Sequence, residues 1–178
     1  MFVTTTAAGL NGVTAYEHRS KGNTTMSGKL VNIVDTLDTI AGNEMRAMML
    51  IDFADKFQEV PERIAKRPFP ELNRVPFCES EAYVWLEVVE EQKIKLHFAV
   101  ENPSGISAKA LAVILDDSLS GANAHEVAQV SPDIVYRLFG RNIGMGKGQG
   151  LMAMVSMVKT AAQKLADAQL IDSNNPVS

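Results

Sequence analysis

The sequence predicts an α+β fold, a small antiparallel sheet of about three strands packed by helices. Two observations carry this. The only period-two alternation lies in the middle of the chain, where Ala82, Val84, Leu86 and Val88 alternate with Tyr83, Trp85, Glu87 and Val89, and Ile94, Leu96, Phe98 and Val100 alternate with Lys93, Lys95, His97 and Ala99. On both sides of it the apolar residues recur at helical spacing instead, and runs of helices around one block of strands define the α+β class.

Taken in order, residues 1–28 hold eight Ser/Thr and one acidic residue, with only scattered apolar positions. Such a segment buries too little surface to offset its ordering entropy, so a disordered arm is expected. Leu30, Ile33, Val34, Leu37 and Ile40 then predict a helix that Gly42 stops, and Asn43 is placed to cap a second helix carrying Met45, Met48, Met49, Phe53 and Phe57 as far as Val60, where Pro61 interrupts it. Four prolines, at 61, 68, 70 and 76, make the following stretch irregular, and loops of that length in a compact domain usually serve function. The two alternating runs turn at Glu90-Glu91-Gln92 into a hairpin with one apolar and one mixed face. Two strands alone are marginal, so a short third strand is expected at residues 73–75.

Beyond Pro103, Ser104 or Ser107 is placed to cap a helix with Ala108, Leu111, Ala112 and Leu115 on one face, ending near Gly121. Asn123 precedes a short helix through Val127. Ser131-Pro132-Asp133 opens another, with Ile134, Val135, Leu138 and Phe139, that Gly140 ends. A glycine-dense loop at 144–150 leads into a last helix with Leu151, Val155, Val158, Ala162 and Leu165 on one stripe. Residues 29–170 thus read as one domain and 171–178 as a polar tail. Core packing accounts for most of the helical methionines.

Composition narrows the function classes. A chain of 178 residues, 46% of them hydrophobic, has enough material for one core. Its net charge of −4 provides no broad positive field, so nucleic-acid binding is not expected. No apolar run approaches the ~20 residues that span a bilayer, so no membrane partner is expected. A single cysteine rules out an internal disulfide and suits a reducing, cytoplasmic setting. The Ser/Thr-rich, acid-poor arm has the composition of a transit peptide, which would make a plastid the alternative.

Three features bear on chemistry. Cys78, the lone thiol, lies just after Pro76 and outside the regular alternation; it is an inert core filler, a ligand lent to a partner, or a nucleophile. The glycine run Gly144-Met145-Gly146-Lys147-Gly148-Gln149-Gly150 fits neither the phosphate-loop nor the dinucleotide pattern. It reads as a flexible loop, or as exposed amides with Lys147 that stabilise an anion at a helix start. Of the histidines, His97 or His125 would have to serve a Cys-His catalytic pair. One cysteine and three scattered histidines argue against zinc, and no cofactor is expected on this chain.

The run Asn73-Arg74-Val75-Pro76-Phe77-Cys78-Glu79-Ser80, leading to Val84-Trp85-Leu86, resembles the active-cysteine segment of the SufE family. Asp52-Phe53-Ala54-Asp55-Lys56-Phe57, Glu101 after the second strand, and Gly148-Gln149-Gly150-Leu151 opening the last helix fall in the family's order, so the likeness runs from about residue 40 to 165. The resemblance implies a sulfur acceptor of iron–sulfur cluster assembly that is not itself an enzyme. Its Cys78 would take persulfide sulfur from a PLP-dependent, SufS-like cysteine desulfurase and pass it to a SufBCD-like scaffold complex, with PLP held by the partner. Lys147, Glu101, Gln149 and Arg74 become supporting or docking residues. Three departures stand out: Phe77 where the family has glycine, Lys147 where it has arginine, and Glu101 where it has aspartate. A loaded persulfide needs cover, which Phe77, Tyr83 and the Pro-rich loop are placed to give. The rival classes are a thiol enzyme, peroxidase or hydrolase, using a histidine, and an interaction domain with an inert thiol.

Overall fold

The computed structural model describes residues 28–40 and 42–174, the last three without their side chains. Helices α1 (Gly28–Thr39) and α2 (Asn43–Ala54) come first. Strands β1 (Ala82–Val88) and β2 (Ile94–Val100) follow, and then helices α3 (Ile106–Leu119), α4 (Ala124–Ala128), α5 (Ile134–Phe139) and α6 (Met145–Asn174). Residues 1–27, where the disordered arm is expected, lie outside the described residues.

The two strands pair antiparallel from Ala82 opposite Val100 to Val88 opposite Ile94, which puts Val84, Leu96, Phe98 and Val100 on the face that receives the helices. Against that face lies α3. Nine of its fourteen residues are buried, including Ala108, Ala110, Leu111, Ile114 and Leu115, because it is sandwiched between β2 and the α1–α2 hairpin. Such all-round burial makes it the centre of the core. Leu30, Val34 and Leu37 of α1 and Met154, Val155, Val158 and Ala162 of α6 complete one continuous apolar cluster.

The expected third strand is reduced to a single bridge between Arg74 and Tyr83, with the Val75 amide donating to the Ala82 carbonyl at 2.8 Å. A 3-10 turn at Glu71–Asn73 precedes it and Pro76, which has no N–H to donate, follows, so no ladder can extend. The bridge still covers the edge of β1, assisted by the Asn73 side-chain amide donating to the Val84 carbonyl at 2.8 Å. The outer edge of β2 is covered in the same piecemeal way. The Val60 amide donates to Phe98, the Ile94 amide to Ala122, and the Leu96 amide to the Ser120 hydroxyl. The β2 edge is thereby occupied at Ile94, Leu96 and Phe98, and the β1 edge from Ala82 to Val84.

Several helix ends differ from expectation. Helix α2 stops at Ala54 instead of Val60, since residues 55–60 leave it to reach β2. Its N-cap is Gly42, with Asn43 already inside the helix, and α3 is capped by Gly105 without a side-chain hydrogen bond in place of Ser104 or Ser107. Asn123 caps α4 as expected, in a reciprocal capping box with Glu126. Met45 and Met48 of α2 are more than half exposed, unlike the buried Met154. The last helix runs four residues into the expected polar tail. It also begins at Met145, so most of the glycine-dense segment is its first turns and not a loop.

The Pro-rich connection spreads over the mixed face of the hairpin. Phe69 packs against both Tyr83 and Trp85, each with ring centroids 5.2 Å away, and the Arg67 guanidinium lies 4.8 Å over the Phe69 ring. Arg63 makes a two-pronged ion pair with Glu87 at 2.5 and 2.9 Å. This loop is therefore the second wall of the sheet.

Candidate functional site

Cys78 sits in the loop that feeds β1. Phe77, just before it, has φ 59°, and Glu81 has φ 49°. Non-glycine residues held there carry a backbone cost of roughly 1–2 kcal/mol each, so the surroundings must impose the shape. They do so through backbone bonds and through two glycines. The Glu81 amide donates to the Cys78 carbonyl at 3.0 Å, the Glu101 amide to Glu81 and the Asn102 amide to Ser80, both at 3.2 Å. At Gly150 an added Cβ would stand 2.8 Å from the Phe77 carbonyl oxygen and 3.0 Å from the Cys78 Cα; at Gly105 it would stand 3.0 Å from the Ser80 Cβ. The loop is thus seated directly on the backbone of α6. Helical glycine costs about 1 kcal/mol of propensity and here makes that close approach sterically feasible.

The thiol is half-buried on the wall of a cleft of about 330 Å³. Ala47, Leu50 and Ile51 of α2, Ile106 and Ala108 of α3, and Leu151 of α6 supply the apolar wall. Phe77, 69% exposed, and Lys147, in the first turn of α6, stand at its edge. On the other side of the loop a shallow groove runs past Glu71, Arg74 and Glu79, so Cys78 is reached from two directions.

The residues expected around the thiol separate into two groups. Lys147 lines the cysteine's cleft, as Glu79 does, and makes no ion pair among the described residues. Arg74 lies in the second groove, where Glu71 and Glu81, each at 3.3 Å, already match its charge and raise its pKa, Glu71 most. Glu101 does not line the cleft. Its backbone amide anchors the loop at Glu81, and its carboxylate shares Arg67 with Glu59; those two hydrogen bonds, Glu59's first, raise the Arg67 pKa above its ordinary range. Gln149 is exposed on the first turns of α6 outside the cleft's lining. Of the cover expected from Tyr83 and the Pro-rich loop, Tyr83 is instead stacked with Phe69 and Trp85 and lines neither opening, while the loop reaches Cys78 only at its end, through Glu71, Arg74, Val75 and Pro76 in the second groove. The apolar cover belongs to α2 and Ile106, with Phe77 at the edge; Ile51 and Ile106 remain exposed in the fold, and the sequence marks them only as apolar.

Neither histidine reaches this site. His97 is buried on β2, with its Nε2 2.8 Å from the Glu87 carboxylate, and His125 is exposed on α4; neither lines the cleft. Arg63 and His97 together hold the Glu87 carboxyl at a pKa of about 2, the hydrogen bond from Arg63 being the larger cause. Among the described residues no cluster of histidine, cysteine and acidic side chains is arranged to hold a metal ion, and no helix is long and apolar enough to cross a membrane.

The fold and site define a class: a small α+β domain that presents one thiol from a strained loop at the edge of an apolar-walled cleft, without a histidine partner among the described residues. The chain belongs to the SufE family, whose model, described as an Fe-S metabolism associated domain, matches residues 31–162. Among solved structures it is similar to a hypothetical protein from Thermus thermophilus, determined in solution, with 25% identity, 80% of this chain and 98% of that chain covered, and a TM-score of 0.61. Among curated proteins none matches the chain.

Proposed function

We propose that this protein is a sulfur carrier for iron–sulfur cluster assembly, with Cys78 the accepting thiol. The reading rests on family membership and on one observation above the others: the chain's only cysteine is half-exposed on an apolar-walled cleft whose lining includes Lys147. In the transfer, the Cys78 thiolate attacks the outer sulfur of a persulfide on a cysteine desulfurase. A new S–S bond forms on Cys78, the donor's S–S bond breaks, and the donor cysteine leaves as a thiolate, so the exchange is redox-neutral. PLP on the desulfurase supplies the earlier carbon–sulfur cleavage. This chain contributes only a positioned thiol, and no general base is needed from His97 or His125.

Each neighbour has a role in this scheme. Lys147, in the same cleft lining as Cys78, is the cation available to the anionic sulfur species that the exchange passes through. The α2 and Ile106 wall shelters the loaded sulfur from water and reductant. Glu101 positions the loop through Glu81, while Arg74 and Gln149, on the outer surface, meet the desulfurase or the scaffold that receives the sulfur.

The test is to incubate the chain with a cysteine desulfurase and L-cysteine without reductant, and to measure the mass of the Cys78 peptide. Addition of one sulfur atom to the wild type and none to Cys78→Ser is the expected result; an unmodified wild-type peptide rejects the carrier reading. A variant with both His97 and His125 replaced should take up sulfur normally, whereas a Cys-His thiol enzyme using either histidine would lose its activity in it.

A further inference from the structure

A second cleft, of about 960 Å³, opens on the other side of α2, which walls both: Ala47 and Leu50 line each of them. Its lining brings together three arginines from two parts of the chain, Arg46 of α2, Arg137 of α5 and Arg141 of the loop after α5. Their charges are balanced unequally. Arg137 is spent on α1, donating to Asp35 at 2.9 Å and to Asp38 at 3.2 Å. Arg46 is half-buried, lies across Gly140, and makes only one long hydrogen bond, 3.4 Å to the Arg137 carbonyl; it has no carboxylate partner among the described residues. Arg141 has neither a side-chain hydrogen bond nor an ion pair among them. The lining carboxylates are Asp38, already committed to Arg137, and Asp133, at the N-cap of α5.

Arg46, partly withdrawn from water and without a carboxylate partner among the described residues, presents a planar fork that matches a carboxylate or phosphate. Arg46 and the exposed Arg141 line one space of ligand size, with amides from Asn43 and Asn142 beside them. We infer that this cleft binds a small polyanion bearing phosphate or carboxylate groups, held between Arg46 and Arg141. The site is distinct from the thiol's cleft and does not depend on the carrier function. A compact anion fits better than an acidic protein segment, because the cations gather around one cavity and not along an open stripe.

The experiment is calorimetric titration of the full chain with inorganic pyrophosphate and, separately, citrate at constant ionic strength. Saturable binding at one site is expected for at least one probe, and the stronger of the two assigns the ligand's chemistry. Arg46→Ala and Arg141→Ala should each weaken it roughly tenfold, as loss of a charged hydrogen-bonding partner does, while Lys66→Ala, outside the cleft's lining, leaves it unchanged. Arg141 is exposed, so its variant tests the site without risk to folding. Absence of saturable binding by both probes, equal affinity in the arginine variants, or binding of polyglutamate but of neither small anion overturns the proposal.

Discussion

The two ends of the β1–β2 hairpin carry the same backbone anomaly and put it to different uses. At the start of β1, Phe77 and Glu81 are left-handed; at the turn between the strands, Glu91 and Gln92 are left-handed as well, with φ 57° and 59°. The turn needs that conformation only to reverse the chain. It is exposed and held mainly by short-range contacts, the Val89 amide on the Lys93 carbonyl and a Lys93–Glu91 ion pair at 2.8 Å, with a bridge from Lys93 to Asn123 and a bond from Gln169 of α6 to Gln92 as its distant ties. The cysteine loop is fixed instead by residues far away in sequence, Gly105, Glu101, Asn102 and Gly150. Strain at the turn is a matter of local geometry, whereas strain at Cys78 is imposed by the whole fold and sets where the thiol points.

Gly150→Ala should break that distinction most strongly. Alanine favours the helix by about 1 kcal/mol, but its Cβ would press on the Phe77 and Cys78 backbone, and overpacking of this kind costs about 1–3 kcal/mol, so a net loss in urea unfolding is expected together with slower sulfur uptake by Cys78. Unchanged uptake in that variant would show that the α6 backbone does not position the thiol. Next in size, Phe77→Gly removes a left-handed strain of roughly 1–2 kcal/mol at a largely exposed residue, offset by the extra freedom glycine gives the unfolded chain, for a net gain of about 0.5–1 kcal/mol by the same measurement.

A smaller effect separates the turn-side half of the hairpin by pH. Glu87, opposite Lys95, titrates near 2 in the folded protein against an ordinary 4.5, so the stability it contributes is present in full above about pH 4.5 and is lost as pH falls toward 2. Thermal unfolding from pH 7 to 2.5 should show wild type above Glu87→Gln at neutral pH, with the gap closing in acid; a gap independent of pH would place the stabilisation elsewhere than in the carboxylate's charge. The smallest effect is none: His97→Gln and His125→Gln should leave the rate of Cys78 persulfide formation, followed by mass, at the wild-type value.

Legibility in the sequence followed the range of the interactions involved. The hairpin, its register face, the α4 cap at Asn123 and the stripe of α6 all rest on periodicity or on contacts a few residues apart. The misplaced elements rest on distant partners. The third strand shrinks to one bridge between its 3-10 turn and Pro76, and α2 gives up its last expected turn to hydrogen-bond β2. The glycine run reads as a loop because glycine disfavours helix, yet most of it is helical, since the bare backbone of α6 is what the cysteine loop packs against. Of the site residues, Cys78 and Lys147 meet at one cleft. Ile51 and Ile106, which wall it, carry no mark in a linear reading beyond being apolar.

By itself the sequence determined the α+β class, the position of the lone thiol in a turn-rich segment before β1, and the shortage of any histidine suited to serve it. Those follow from residue type and local spacing. The tertiary structure decided what the thiol faces, which cation shares its cleft, which helices shelter it, and that Arg46 and Arg141 line a second cavity, neither with an ion-pair partner among the described residues. Each of these depends on segments separated by tens of residues being packed at ångström distances, and backbone contacts such as Gly150 on Cys78 leave no periodic trace in the chain that makes them.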